Sequence, residues 1–492
     1  MRLIIKFIFC GIITALIFPP FSLLPLGFIS FPYLIYLLTS KKLIFTKKLF
    51  QFNLGFIFGI SMNSIILIWI REPFLLDDNT RHLSFLSFFL IIYCSLYYGL
   101  VFLILSFFSN KISKILLIPI LFVGVEILRE NFLYGFAWIT FAQVYSINNF
   151  LLSLIYYLGT YGLSYFVILI YLIPSSVFLI FNSKKKFILT NIIISLSVLF
   201  IGLSLIYINK FKDLNNQKYL INVSIIQLNS SQVDRNNHLN LNKRLKYIED
   251  VIKTNKSELI IFSENDFPYT ISNLNDLNFL QKYLNNKQSI IIGGIRKENN
   301  DYFNTLYLVE RENIQFFDKK KLVPFGEFLP LRNIFSSLDK IVGEKDFKSG
   351  KDKRILTTLN NLNIIPIICY EIIFHNELLD DTNISGDLMI NITNDSWFGN
   401  FSGPYQHFYL SKMRAVEFNK FLIRSSNNGI SAMINSKGEI IEFLPLNKKG
   451  ISTKEITIYQ DLNNLTTYHF FIYFFMMIIL IVSIFINSKN YE

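Results

Sequence analysis

Three residues in the C-terminal half of the chain close apolar runs of strand length and could do chemistry together. Glu264 ends "LIIFSE", Lys319 ends "IQFFDK" and Cys369 ends "IIPIIC". The ends of strands are where α/β sheets gather reactive groups. A thiol attacks an acyl group only as the thiolate, so it requires a base and a nearby positive charge. Glu264 can take the proton. Lys319 can favour the thiolate and then stabilise an oxyanion, with a backbone N–H such as that of Tyr370 as second donor. The plainer reading makes Cys369 a small buried hydrophobe and makes Glu264 and Lys319 solvated charges or a surface ion pair. Two observations weigh against it: carboxylates stand close by at Glu327 and Glu371, and Cys369 has no disulfide partner in its domain, since Cys10 and Cys94 lie in long hydrophobic stretches.

A Cys–His pair is the competing arrangement, with His375 or His407 as base. His375 falls on the stretch that follows Cys369, and His407 sits in a loop-to-helix region rich in aromatics. Neither has an orienting Asp or Asn at a recognisable spacing. The five histidines are scattered and no CxxC occurs, so no metal site is expected. "IIGGIRK" lacks the spacing of a dinucleotide or phosphate loop, so no cofactor is expected either. Its glycines, 293 and 294, suit a tight turn or close packing at a strand end.

The elements that must position these groups are short apolar runs alternating with helix-length stretches. Runs at 221–228, 258–264, 288–295, 304–310, 314–319, 362–370, 387–393, 421–426 and 431–436 read as strands. Stretches 238–256 and 405–419 read as helices. The mixture predicts an α/β domain with buried, partly hairpin-connected sheets.

The rest of the chain reads as membrane protein, because 52% of 492 residues are hydrophobic and 51 are phenylalanine. Runs near the ~20 residues that cross the hydrocarbon core occur at about 4–18, 21–38, 52–70, 83–108, 112–128, 150–181, 187–208 and 466–487. Arg2 and Lys6 before the first run resemble a signal peptide, but "FPPFSLLPLGF" replaces a cleavage site, so the helix is read as retained. Lysines collect in alternate loops (Lys41, Lys42, Lys47, Lys48; Lys111, Lys114; Lys184, Lys185, Lys186), which marks those loops as cytoplasmic. Eight spans then give a membrane domain at 1–209, an outer-face domain at 210–465 and a last helix with a short cytoplasmic tail at 466–492. Of the net charge of +12, +9 falls outside 210–465. The basic excess is a topology signal, and a nucleic-acid partner loses its support.

Several segments carry a resemblance. "ICYEI" (368–372), "DKKKLVPFGEFLPL" (318–331), "NDSWFG" (394–399), "GPYQHF" (403–408), "MRAVE" (413–417) and "RSSNNGISA" (424–432) are similar to signature segments of the bacterial apolipoprotein N-acyltransferases, membrane-embedded relatives of the nitrilase superfamily. "EILRENFLYGFAW" (126–138) and "LGTYGLSYFV" (158–167) extend the likeness into the membrane part. The resemblance implies a nitrilase-like αββα sandwich outside the inner membrane, between the seventh and eighth helices. It implies a triad in which Glu264 matches the general base, Lys319 the lysine and Cys369 the nucleophile. Glu327, Tyr370 and Glu371 match supporting positions, Trp397 an aromatic near the entrance and Asn304 an asparagine on the substrate side. Three departures stand out: Ser263 where the family usually has proline, Ala137 in "GFAW", and the absence of tryptophan in 227–237.

The implied reaction is transfer of an acyl chain from a phospholipid, typically phosphatidylethanolamine, to Cys369, and then to the α-amine of a diacylglyceryl-cysteine on an apolipoprotein. A monomer is expected. Two other classes stay open. One is a membrane-tethered nitrilase-type amidase hydrolysing a small C–N substrate. The other is a transporter or scaffold, against which the scarcity of charges deep in the spans, Glu126 apart, already argues.

Overall fold

The computed structural model describes residues 1–40, 43, 47–76, 78, 80–180, 217–231, 238–332, 345–382, 386–459, 477, 478 and 480–482. The chain divides into two compact units: 1–71 with 85–212 and 464–492, and 72–84 with 213–463. The segment 72–84, which covers most of the stretch between the expected runs 52–70 and 83–108 and the first two residues of the latter, therefore groups with the second unit, where Glu72 packs against Gly399.

The first unit is helical. Among the described residues three helices are long and apolar enough to cross a membrane: Lys48–Ile66, Arg81–Leu105 and Ile155–Ser175. Arg2–Ala15 and Gly27–Leu38 have 14 and 12 residues, fewer than the expected runs. Lys111–Asn131 has 21 residues but carries Lys114, Glu126, Arg129 and Glu130, all buried. The expected runs at 187–208 and most of 466–487 lie outside the described residues. In the Ser87–Leu105 helix Phe89, Leu96, Leu100 and Ile104 point outward while Ile91, Cys94, Tyr98 and Phe102 are buried. A helix apolar on every side suits hydrocarbon rather than water. It packs closely on Lys48–Ile66, for a Cβ on Gly59 would lie 3.0 Å from the Ser95 Cα, the small-residue approach by which membrane helices associate.

The second unit is built on two sheets. Its strands are β1 (Gln217–Gln227), β2 (Leu259–Ile261), β3 (Thr270–Ile271), β4 (Ser289–Glu298), β5 (Asp301–Glu310), β6 (Ile314–Asp318), β7 (Leu356–Thr357), β8 (Asn363–Ile368), β9 (Leu388–Thr393), β10 (Phe421–Ser426), β11 (Ser431–Ile434), β12 (Ile440–Leu444) and β13 (Gly450–Tyr459). The first sheet has the order β13-β1-β2-β4-β5-β6, with β3 paired to β4; the second has the order β12-β11-β10-β9-β8-β7. In each sheet the central strands are parallel, β1-β2-β4 and β8-β9-β10. Their edges are antiparallel. Alternate residues of the first sheet, Ile226, Ile260, Ile290 and Ile292, join Ile248, Val251 and Ile252 of the His238–Thr254 helix in one apolar cluster. The second sheet packs against the Gly403–Glu417 helix. The Ser425 hydroxyl of β10 donates to the carbonyls of Ile226 and Ile261, at 3.2 and 3.3 Å, and so ties the two sheets face to face.

Gly293 marks where this packing is tightest. Its N–H donates to the Ser263 carbonyl at 3.1 Å, and a Cβ there would lie 2.7 Å from the Glu264 Cα and the Asn265 nitrogen. At Gly294 the nearest neighbour would be the Phe267 Cβ at 3.3 Å. Gly293→Ala is expected to destabilise the protein by about 1–3 kcal/mol, the scale of overpacking in a filled core, and Gly294→Ala by less. Thermal unfolding of the two purified variants checks this, and equal losses would show that the backbone contact is not the limiting one.

Candidate active site

The parallel strands β2, β8 and β9 run in one direction within each sheet, so the residues that follow them gather at the strands' C-terminal ends. β2 runs out into Glu264, β8 into Cys369 and β9 into Asn394 and Asp395. Lys319 directly follows β6 and is held by its neighbours' backbone: its N–H donates to the Asn304 carbonyl at 2.8 Å, and its own carbonyl accepts from Gly350 N–H at 2.9 Å.

The structure brings Glu264, Lys319 and Cys369 together. The Lys319 ammonium, 1% exposed, lies 2.8 Å from Glu327 and 3.9 Å from Glu264 Oε1. The Cys369 thiol hydrogen-bonds to Glu264. Glu264 Oε2 accepts the Asn394 N–H at 2.8 Å. Asn304, expected on the substrate side, directs its amide nitrogen at both carboxylates, 2.8 Å from Glu264 Oε1 and 2.8 Å from Glu327 Oε1. Ser263, standing where proline was expected, fixes the turn before Glu264 another way, by donating from its N–H and hydroxyl to Asp266 at 2.7 and 2.8 Å.

Charge in this cluster sets the protonation states. Burial raises the Glu264 pKa; Lys319 opposes this and Glu327 adds to it, and the net direction is up. Burial alone would lower Lys319, but Glu327 and Glu264 outweigh it and hold the ammonium charged. The Cys369 thiol is pushed up by burial and by Glu264, with Lys319 pulling the other way. The resting cluster therefore sets a neutral thiol against Glu264 beside a fixed positive charge. Cys369 also has φ 49°, in the left-handed region rare outside glycine and asparagine, a placement that neighbours must enforce.

Glu371 turns away from the thiol. Its oxygens accept the N–H groups of Lys320 and Ile368, each at 2.8 Å, and both face the Arg354 guanidinium at 2.9 and 3.0 Å. Burial raises the Glu371 pKa, but Arg354 outweighs it and the carboxylate stays ionised. This buried pair binds the chain after Lys319 to the chain before Cys369. Tyr370 is buried edge-on to Phe374, with ring centroids 5.0 Å apart. Trp397 is 39% exposed, on the turn Asp395–Phe398. Sequence reasoning missed Arg354, Asp395 and Arg424, all buried and ion-paired. No group of three or more potential metal ligands occurs among the described residues.

Residues 222–460 match the carbon-nitrogen hydrolase family, and residues 10–173 match the apolipoprotein N-acyltransferase N-terminal domain family. The chain is 33% identical to the apolipoprotein N-acyltransferase of Wigglesworthia glossinidia brevipalpis, over 98% of this chain and 97% of that one. It is 31% identical to the enzyme of the same name from Rickettsia prowazekii, over 91% of both. A solved structure from Saccharomyces cerevisiae, Nit3, a member of branch 10 of the nitrilase superfamily, is similar over 51% of this chain and 94% of its own, at 18% identity and a TM-score of 0.37. The carbon-nitrogen hydrolase match and the two sheets bear out the nitrilase-like α/β domain expected from the resemblance.

Arg354→Met would leave Glu371 buried without its counter-charge, so it is expected to destabilise the protein by about 3–5 kcal/mol. Adding Glu371→Gln should recover part of that loss. The measurement is thermal unfolding, and a loss in Arg354→Met no larger than the ~0.5 kcal/mol of an ordinary surface change would remove the pair from the account.

Proposed function

The chain belongs to the apolipoprotein N-acyltransferase family, and on that premise we propose that Glu264, Lys319 and Cys369 carry out its acyl transfer. The protein is an acyltransferase of lipoprotein maturation. The observation that carries the residue assignment is the buried thiol hydrogen-bonded to Glu264, with Lys319 Nζ 3.9 Å from that carboxylate.

In the first half Glu264 takes the thiol's proton as Cys369 Sγ bonds to the acyl carbon of a phospholipid, and returns it to the lysophospholipid oxygen as the ester C–O bond breaks. In the second, the α-amine of a diacylglyceryl-cysteine attacks the thioester, and its proton passes through Glu264 to the departing sulfur. Both halves pass through an oxyanion, so Lys319 and a backbone N–H such as that of Tyr370 serve twice. Glu327 holds the ammonium, and Asn304 fixes the two carboxylates relative to each other. Glu371 and Tyr370 support the turn on which Cys369 sits, and Trp397 lies on the substrate side. Phosphatidylethanolamine is the donor and the working form is a monomer. The membrane domain has eight spans in the inner membrane, with 210–465 in the periplasm, a reading supported by the phase of the loop lysines.

Phospholipid alone should load Cys369 with an acyl group that neutral hydroxylamine removes, and a diacylglyceryl peptide with a free amine should discharge it. Intact-mass measurement reads both steps. Loading that requires the peptide, or an acyl form that water clears as fast as the amine does, would favour direct transfer or an amidase. Lys319→Ala should slow loading on the order of 10²–10³-fold, as loss of one oxyanion donor does. Lys319→Arg should not restore it, because a planar fork does not replace a compact ammonium.

The pH profile of loading follows from the raised Glu264 pKa. The base works ionised, so the rate is full above that value and falls as pH drops through it. Its acid limb is expected above the usual carboxylate range, near 4.3. A rate unchanged down to that range would assign the base to another group.

A further inference from the structure

A second buried polar cluster adjoins Cys369, and no step described above uses it. Asp395 follows β9, His407 stands on the Gly403–Glu417 helix, and Arg424 lies in β10. All three are fully buried. Arg424 Nη2 lies 2.9 and 2.7 Å from the two Asp395 oxygens, and its Nη1 donates to Asn391 Oδ1 at 2.6 Å. Burial would raise the Asp395 pKa, but Arg424 and His407 hold it down at about 2. The Thr393 hydroxyl donates to Asp395 Oδ1 at 3.1 Å. From this fixed anion one arm reaches the nucleophile's residue. The His407 ring has Nδ1 2.9 Å from Asp395 Oδ1 and Nε2 3.3 Å from the Cys369 carbonyl oxygen.

We propose that His407 is a positioning residue for Cys369: its Nε2–H donates to the Cys369 carbonyl and holds the residue in the left-handed backbone that sets the thiol against Glu264. A carbonyl only accepts, so Nε2 must carry a proton. Burial and Arg424 disfavour a second proton on the ring, and Asp395 opposes them. Nδ1 lies 2.9 Å from Asp395 Oδ1 and 3.1 Å from Arg424 Nη2, so the ring is clamped between them with Nε2 toward Cys369. Sequence spacing had left His407 open as a base for the thiol. The geometry gives it a different task, because its Nε2 meets the carbonyl of Cys369 while the sulfur bonds to Glu264. The left-handed φ of 49° supplies the need, since a cysteine gains nothing intrinsic there and requires an external hold.

The inference rests on Cys369 being the acyl-accepting nucleophile, and the test separates the two. Glutamine at 407 can keep an N–H near the Nε2 position, whereas asparagine keeps a polar group near Nδ1 and cannot reach the Cys369 carbonyl. Acyl loading of the full-length protein from phospholipid is measured for wild type, His407→Gln and His407→Asn, per molecule showing the folded thermal transition. His407→Gln is expected to load within a few-fold of wild type. His407→Asn should be slower on the order of 10²-fold, the effect of a misplaced reacting atom, at unchanged KM for phospholipid. Both should keep the wild-type acid limb. Equal rates for the two variants, or loss of the acid limb in His407→Gln, would overturn the positioning role. Should His407→Asn not fold, Asp395→Asn carries the test by removing the anchor: slower loading at constant KM supports the proposal, and unchanged loading overturns it. A wild type that forms no thioester would sink the reading of Cys369 itself, whereas a wild type that loads normally beside equally competent variants sinks this inference alone.

Discussion

The site depends on one constraint, the burial of the Lys319 ammonium. A charge that is 1% exposed must be neutralised and hydrogen-bonded where it stands. Two carboxylates do this, Glu327 at 2.8 Å and Glu264 at 3.9 Å. Burial raises Glu264 against the pull of Lys319, which Glu327 only partly offsets, and burial together with Glu264 raises Cys369. The consequence is kinetic. On the proposed mechanism the thiol rests protonated, so the nucleophile forms only as its proton moves to Glu264, which burial prepares to receive it while Lys319 pulls the other way.

Holding three charges in so small a volume places demands on the backbone around them. Asn304 separates the two carboxylates with one amide group, and the Asn394 N–H takes the remaining oxygen of Glu264. Glu371 accepts backbone N–H groups from residues just after Lys319 and just before Cys369 and is itself neutralised by Arg354. That carboxylate works as a strut between the first sheet's last strand and the second sheet's central strand. The close approach at Gly293 serves the same end, because the chain bearing Glu264 lies directly on β4 and leaves no room for a side chain.

Much of this was legible in the sequence, and what was not has a common cause. Cys369, Glu264 and Lys319 were readable because each ends an apolar run, and a run such as "NIIPII" becomes a strand buried along nearly its whole length. Arg354, Asp395 and Arg424 were not, because an isolated arginine or aspartate reads as a surface charge until its partner is known. Arg354 meets Glu371 across 17 positions and Arg424 meets Asp395 across 29. Local periodicity carries no trace of such a pairing. β12 and β13 went unread for a related reason: Ile440, Phe443 and Ile451 are exposed, so these edge strands lack the unbroken apolar run that marked the central ones. In the helical unit, hydropathy overlooked that Lys111–Asn131 buries four charged side chains among its apolar ones.

The segment from 394 to 407 joins the site's chemistry to its surface. At one end the Asn394 N–H holds Glu264 and Asp395 anchors Arg424; at the other His407 meets the Cys369 carbonyl. Between them Trp397, Phe401 and Tyr405 are 39%, 56% and 37% exposed, an apolar rim on an otherwise polar turn. Lipid-anchored substrates favour such a rim, because withdrawing an acyl chain into water costs about 0.8 kcal/mol per CH₂. The backbone contact to Glu264, the contact to the Cys369 carbonyl and the rim thus lie on one short stretch of chain. Cys369 itself is 5% exposed, so on the proposed mechanism an acyl group seated there would replace the little water that reaches it and leave the thioester to the acceptor that arrives along the same rim.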